Sequence, residues 1–247
     1  MRCQLEVLPS PESLALAAAR YVTVWADAAV AARGTFSFVL SGGRTPVLLY
    51  SCLATPPLKE RVPWSQVHIF WGDERCVPPE HPESNYLLAR HTLLDHVPIP
   101  PEQVHRIPGE RPPEEAALAY EGVLRQRFQG APAPRFDLVL LGLGEDGHTA
   151  SLFPGTSSLW QRDRWVVALD GGPGRAWRVS LTPWAINAAR RVLFLVSGKA
   201  KARALKQVLQ ARLDPDALPA QAIRPVDGDL LWLVDAEAAS LLGEGLC

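Results

Sequence analysis

Several short apolar runs in this chain do not alternate with polar residues. Each is followed by a turn of small and polar residues and then by a helical stretch. Phe36–Leu40, Val67–Trp71, Phe136–Leu141 and Val192–Val196 are runs of this kind. A strand with one wet face alternates apolar and polar side chains, whereas a strand covered on both faces does not. Continuous apolar strands separated by helices therefore predict an α/β fold: a doubly wound, mostly parallel sheet with helices on both faces, Rossmann-like in layout.

The helices carry their own punctuation. Ser10-Pro11-Glu12 offers a hydroxyl cap and a proline at the first helical position, and Gly34 closes that helix. Thr45-Pro46 is expected to cap a second helix that ends before Pro56-Pro57, and further helices are expected over Asn85–Asp95, Pro112–Phe128, Pro183–Arg190 and Ala200–Arg212. Glu114 and Glu115 fall in the first turn of theirs, where the macrodipole favours acids. Trp165–Leu169 and Val179–Leu181 read as short strands. Asp229–Val234 reads as a last strand, followed by a short helix. The proline-rich stretches at 97–113 and 130–134 are too short to be linkers, so residues 1–247 are expected to form a single domain.

Composition narrows the partners. The formal net charge is −1, so no basic field is available for nucleic acid, and any anion must be held by a local cluster. Cys3, Cys52, Cys76 and Cys247 are scattered without paired spacing, which argues against a metal site and a disulfide framework. Cys76 could be redox-sensitive or simply packed. The first 20 residues lack the apolar core of a signal peptide, and no apolar run approaches the roughly 18 residues of a membrane span. A cytoplasmic, soluble, monomeric protein that acts without a cofactor is the expectation.

In a sheet of this type ligands bind outside the carboxyl ends of the strands. The polar residues fall there. Ser41-Gly42-Gly43-Arg44-Thr45 follows the first run and leads into a helix, the arrangement of an anion cradle, although the Walker pattern is absent. Gly72-Asp73-Glu74-Arg75 follows the second. Arg75 could clamp an oxyanion or a phosphate, and Asp73 or Glu74 could orient a histidine or bond sugar hydroxyls. Ser197-Gly198-Lys199-Ala200-Lys201 places lysine at a helix start, against the macrodipole, where an anion would be welcome. Arg178 stands before an apolar strand, either as a ligand for an anion or in a surface salt bridge. Gly142-Leu143-Gly144-Glu145-Asp146-Gly147-His148 follows Phe136–Leu141, and the small residues after it suggest a short helix. Its glycines match a dinucleotide fingerprint formally, but Glu145 and Asp146 would repel a pyrophosphate. An imidazole fixed beside carboxylates suits proton transfer near neutral pH. No nucleophile elbow appears, so general acid–base chemistry on a phosphorylated small molecule fits better than a covalent intermediate.

These segments, in this order and over nearly the whole chain, resemble the glucosamine-6-phosphate isomerase/6-phosphogluconolactonase family, and the lactonase branch in particular. The matching stretches are Leu40–Pro46, Trp71–Arg75 with Ser84–Tyr86, Gly142–Pro154, Arg178–Thr182 with Asn187, and Val196–Ala202. The histidine segment is the most specific of them. The resemblance implies the α/β fold shared with glucosamine-6-phosphate deaminase, and hydrolysis of 6-phosphogluconolactone in the pentose phosphate pathway. It implies His148 as general base, Asp146 as the group orienting its imidazole, and Asp73 as a third catalytic member. It also implies Ser41, Gly42, Gly43 and Thr45 as the phosphate turn with Arg178 and Lys201, and Arg75 in the substrate site. No metal or organic cofactor is implied. Two alternatives remain at this stage. One is the amino-sugar phosphate deaminase, whose segment after the histidine carries an Asn-Glu pair where Ser151-Leu152-Phe153-Pro154 stands here. The other is a phosphosugar sensor without catalysis.

Overall fold

A computed structural model describes residues 2–243, with side chains from Gln4 onward. Its main sheet has six strands, β1 (Arg2–Leu8), β2 (Phe36–Leu40), β3 (Val67–Trp71), β5 (Leu138–Leu141), β8 (Arg191–Val196) and β9 (Asp229–Asp235), in the order β1-β9-β8-β5-β2-β3. Every pairing in it is parallel. All five residues of β2 are buried, as a strand covered on both faces requires. The chain winds from β2 outward to β3 in one direction and from β5 through β8 to β9 in the other. The topological switch point therefore lies between β2 and β5.

A second, antiparallel sheet of three strands, β4 (Asp73–Arg75), β7 (Arg178–Leu181) and β6 (Val166–Leu169), was not anticipated as a unit. The segment expected to be a loop after Trp71 is β4, with Asp73 opposite Ser180 and Arg75 opposite Arg178. Helix α5 (Pro113–Arg127) anchors this sheet. Glu121 accepts from Arg125, from Arg164 and from the Trp165 backbone N–H, and these donors hold its carboxyl below the usual range although burial pushes it up.

Helix α1 (Pro11–Arg33) starts and stops as expected: Ser10 Oγ accepts from the Ser13 N–H and Gly34 adopts φ 76°. Its best window reaches a mean hydropathy of 1.3, so the expectation that no stretch is apolar enough to span a membrane needs correcting. The hydropathy comes largely from alanine, and the helix lays Leu14, Ala18, Val22 and Ala26 into the core. Helix α2 (Thr45–Leu53) begins at Thr45 itself after Arg44 in helical conformation, with no side-chain cap; Thr45 is the first helical residue rather than the cap. Helix α3 (Leu58–Arg61) follows. The remaining helices are α4 (Asn85–Thr92), α6 (Pro183–Asn187) and α7 (Ala202–Gln210), each shorter than its apolar periodicity suggests because its last or first turn is a 3₁₀ turn or a bend.

Three further differences have local causes. Strand β1 pairs with β9 at the sheet edge, where partial exposure replaces a continuous apolar run by alternation. The short helix expected after His148 does not form. Thr149 Oγ1 donates back to the Gly142 carbonyl, Thr149 and Leu152 form an antiparallel bridge, and Ala150 takes φ 48°. After β9 the chain makes consecutive turns over 236–241 rather than a helix, and Cys247 lies outside the described residues.

Candidate active site

The carboxyl ends of β2, β5 and β8 and the edge of the antiparallel sheet open into one cavity of about 600 Å³. Ser41, Gly42, Gly43, Thr45, Asp73, Arg75, His148, Arg178 and Lys201 all line it. Asp146 stands behind His148 rather than on the wall.

The turn after β5 is built around its histidine. Gly144 N–H donates to the His148 carbonyl at 2.8 Å, and Gly147 bends the chain at φ 83°. A methyl group at Gly144 would overlap the imidazole, so this glycine is the space the ring occupies. Asp146 Oδ1 receives the His148 backbone N–H at 3.1 Å and lies 2.5 Å from the ring Nδ1. Burial tends to raise the Asp146 carboxyl, but its bonds with the backbone and ring of His148 outweigh that and hold it below the usual carboxylate range. With Nδ1 as the donor to Asp146, Nε2 carries the lone pair and is free to take a proton. The ring also rests on Phe153, centroids 4.7 Å apart and tilted by 45°.

The turn after β2 is open where the histidine turn is closed. The first amides of α2 carry no side-chain cap, and Gly43 takes φ 88°. Tyr50 accepts from the Ser41 N–H at 3.0 Å and donates to the Ser41 carbonyl at 2.6 Å, which pins the start of the turn. Gly42 is glycine because the Asn85 side-chain amide fills the position of its missing methyl.

Beside it, the turn after β8 is fixed by Asp235, 1 % exposed. Asp235 accepts from Ser197 Oγ at 2.5 Å and from Gly198 N–H at 3.0 Å. Gly198 at φ 94° starts the 3₁₀ turn that presents Lys199 and Lys201, both on the cavity wall. Lys201 Nζ stands 3.8 Å from Glu145, so an exposed ion pair links the lysine turn to the histidine turn.

The antiparallel sheet supplies the remaining polar wall. Asp73 accepts from Ser151 Oγ at 2.6 Å and, weakly, from Asn85 Nδ2 at 3.4 Å. It makes no bond to His148, so the option that Asp73 orients the imidazole is not what the fold shows. Glu74 is excluded more firmly. It is 3 % exposed and caps α4, accepting from Ser84 Oγ and from the backbone N–H groups of Arg75, Asn85 and Tyr86. Burial raises its carboxyl against the pull of those donors. Arg75 Nη1 donates to the Glu83 carbonyl at 2.5 Å. Across the ladder Arg75 faces Arg178, whose guanidinium is lowered from its ordinary value by burial and by the Arg75 charge. Two like charges opposite each other in a ladder are unfavourable unless an anion joins them. Asn187 serves the fold, bonding the Ala222 carbonyl and the Arg224 N–H. Burial and the Glu74 charge push the Cys76 thiol up to about 11, which disfavours its thiolate near neutral pH.

Ser151, Phe153 and Asn85 fall in stretches that carry the family resemblance, but their contacts are visible only in three dimensions. Asn85 stands directly after a helix-capping serine, at a place the fold buries. Among the described residues no group of three His, Cys, Asp or Glu side chains converges as metal ligands would.

Comparison with known proteins gives one consistent answer. Residues 9–232 match the family described as glucosamine-6-phosphate isomerases/6-phosphogluconolactonase. A 6-phosphogluconolactonase of Nostoc sp. is 42% identical over 98% of this chain and 99% of its own. The structure of 6-phosphogluconolactonase from Trypanosoma cruzi superposes with a TM-score of 0.85 at 32% identity, covering 98% of this chain and 97% of that one. A monomeric glucosamine-6-phosphate deaminase shares the fold, with a TM-score of 0.81 at 24% identity over 98% of this chain and all of its own.

Proposed function

The chain belongs to the glucosamine-6-phosphate isomerase/6-phosphogluconolactonase family and is a sugar-lactone hydrolase, and we propose that His148 is its general base and the Ser41–Thr45 turn its phosphate site. The observation that carries this assignment is the Asp146–His148 pair. It leaves Nε2 free in a cavity whose other walls bear cations and uncapped helix amides. The substrate is 6-phosphoglucono-1,5-lactone. Its phosphate lies against Ser41, Gly42, Gly43 and Thr45, with Arg178 and Lys201 as counter-charges and Arg75 beside Arg178.

His148 Nε2 takes a proton from water as the water oxygen bonds to the lactone carbonyl carbon. The carbonyl becomes a tetrahedral oxyanion while the imidazolium is stabilised by Asp146. Collapse of the oxyanion breaks the bond to the ring oxygen, which leaves with the proton from His148, and 6-phosphogluconate results. Asp73 is the third catalytic member: one oxygen is taken by Ser151, and the other, held loosely by Asn85, is offered to a substrate hydroxyl. A δ-lactone is already activated, so a general-base contribution of about 10²–10⁴-fold suffices. The reading places the enzyme in the cytoplasm, as a monomer acting on a free small molecule without nucleic acid or membrane. The near-neutral charge speaks against nucleic acid as a partner, and the packed inner face of α1 against that helix spanning a membrane.

The test is hydrolysis of freshly made 6-phosphogluconolactone with spontaneous opening subtracted, run beside ammonia release from glucosamine 6-phosphate. Lactone opening in proportion to enzyme, without ammonia, is expected. Ammonia release without lactone hydrolysis would assign the site to the deaminase branch. Tight 6-phosphogluconate binding without either activity would make it a sensor.

A further inference from the structure

Asn85 stands where three parts of the site meet. Its side chain is 3 % exposed, at the start of α4. Nδ2 donates to the Asp73 carbonyl at 2.9 Å and, more weakly, to Asp73 Oδ1 at 3.4 Å, which fixes the amide orientation. Oδ1 has no hydrogen-bond donor and lies against Gly42 in the phosphate turn. Asp73 in turn receives Ser151 Oγ at 2.6 Å, a charge-assisted bond from a residue three positions after His148. One continuous chain of contacts thus runs from Gly42 through Asn85, Asp73 and Ser151 to the histidine segment.

Burying a carbonyl oxygen without a donor costs stability, and a buried helix start has no need of an amide side chain there. The main chain of Asn85 is already secured, its N–H donating to Glu74 Oε1 at 2.7 Å. The side chain is therefore surplus to the capping of α4, and its position is explained by what it connects.

We propose that Asn85 is a positioning residue that ties the phosphate turn to Asp73 and, through Ser151, to the histidine segment. The substrate's phosphate then acts on the rate of lactone opening as well as on binding. Binding energy from a part of the substrate remote from the reacting bond raises kcat only if it is transmitted to the groups around that bond. The proposal rests on the phosphate-turn reading above.

The experiment compares 6-phosphogluconolactone with unphosphorylated glucono-1,5-lactone for the wild type and Asn85→Ala. A wild type without preference for the phosphorylated lactone removes the phosphate-turn reading, and the proposal with it. Given that preference, Asn85→Ala is expected to lower kcat on the phosphorylated lactone by at least about tenfold, with KM nearly unchanged, and to lower it several-fold less on the unphosphorylated lactone. Equal losses on both lactones, or an effect confined to KM, overturn the proposal. Gly42→Ala supplies the packing control. It drives a methyl into the Asn85 amide, and the double variant Gly42→Ala/Asn85→Ala gives that methyl the vacated space. The double variant should regain the melting temperature lost in Gly42→Ala while keeping the collapsed preference. Recovery of the preference would show that filled volume alone is enough and would sink the positioning role.

Discussion

Two glycine turns follow neighbouring parallel strands, and they are opposites. The turn after β5 is closed on itself. Its Gly144 admits the turn's own histidine, its aspartate binds that histidine twice, and its backbone N–H groups at Gly144 and Gly147 find acceptors within the turn. The turn after β2 is open. It leads into a helix without a side-chain cap, and its first glycine makes room for a side chain from another element. On the proposed assignment, the difference separates the two demands of the reaction. A base must be preorganised before substrate arrives, whereas an anion site must keep donors unspent until it does.

The sharpest way to break the comparison is to remove the group that the closed turn exists to hold. His148→Ala is expected to cut kcat by at least about 100-fold with little change in KM, read from initial rates on fresh lactone. Near-normal turnover would take His148 out of the mechanism. A methyl in each turn makes a finer contrast. Gly144→Ala pushes the imidazole out of place and should lower kcat by about tenfold or more. Gly43→Ala meets no neighbour, only the strain of φ 88°, and should act mainly on KM. Next, neutralising Arg178 or Lys201 should raise KM for the phosphorylated lactone about tenfold, the scale of one charge-assisted bond, and spare the unphosphorylated one. An equal loss on both lactones would show that these cations do not read the phosphate.

The smallest effect concerns acid. Asp146 is held below the usual carboxylate range, so its contribution to stability is fully present above its unfolded value near ~3.9. That contribution is lost as pH falls through the lower folded value. Urea unfolding at pH 5 and at pH 3 should therefore show a small acid-linked loss that Asp146→Asn removes. Substitutions in the turn after β2, which has no acid between Ser41 and Thr45, should leave that loss unchanged.

Much of this was legible in the chain because the main sheet is buried on both faces. Phe36–Leu40 and Val192–Val196 announce themselves as apolar runs, and the polar turns after them mark the ligand end. What stayed hidden depends on contacts distant in sequence. Gly72–Arg75 reads as a charged loop because its partner strand lies about a hundred residues on, and only the Asp73–Ser180 and Arg75–Arg178 pairs turn it into β4. Strand β1 sits at an edge, so its alternation resembles a loop or helix start. Gly42 looks like a place for a ligand to approach closely, yet the immediate reason for it is Asn85, more than forty residues away. The apparent helix after His148 failed because Thr149 spends its hydroxyl on Gly142.

The facing arginines of β4 and β7 have a last consequence. With Arg75 and Arg178 set side by side in a half-buried ladder, two like charges share one wall of the cavity. Asp73 and Glu83 answer part of that charge, and on the proposed reading a phosphorylated ligand answers the rest. On that reading the ligand stabilises the folded chain as it binds, and 6-phosphogluconate should raise its Tm, with less effect when Arg178 is neutralised.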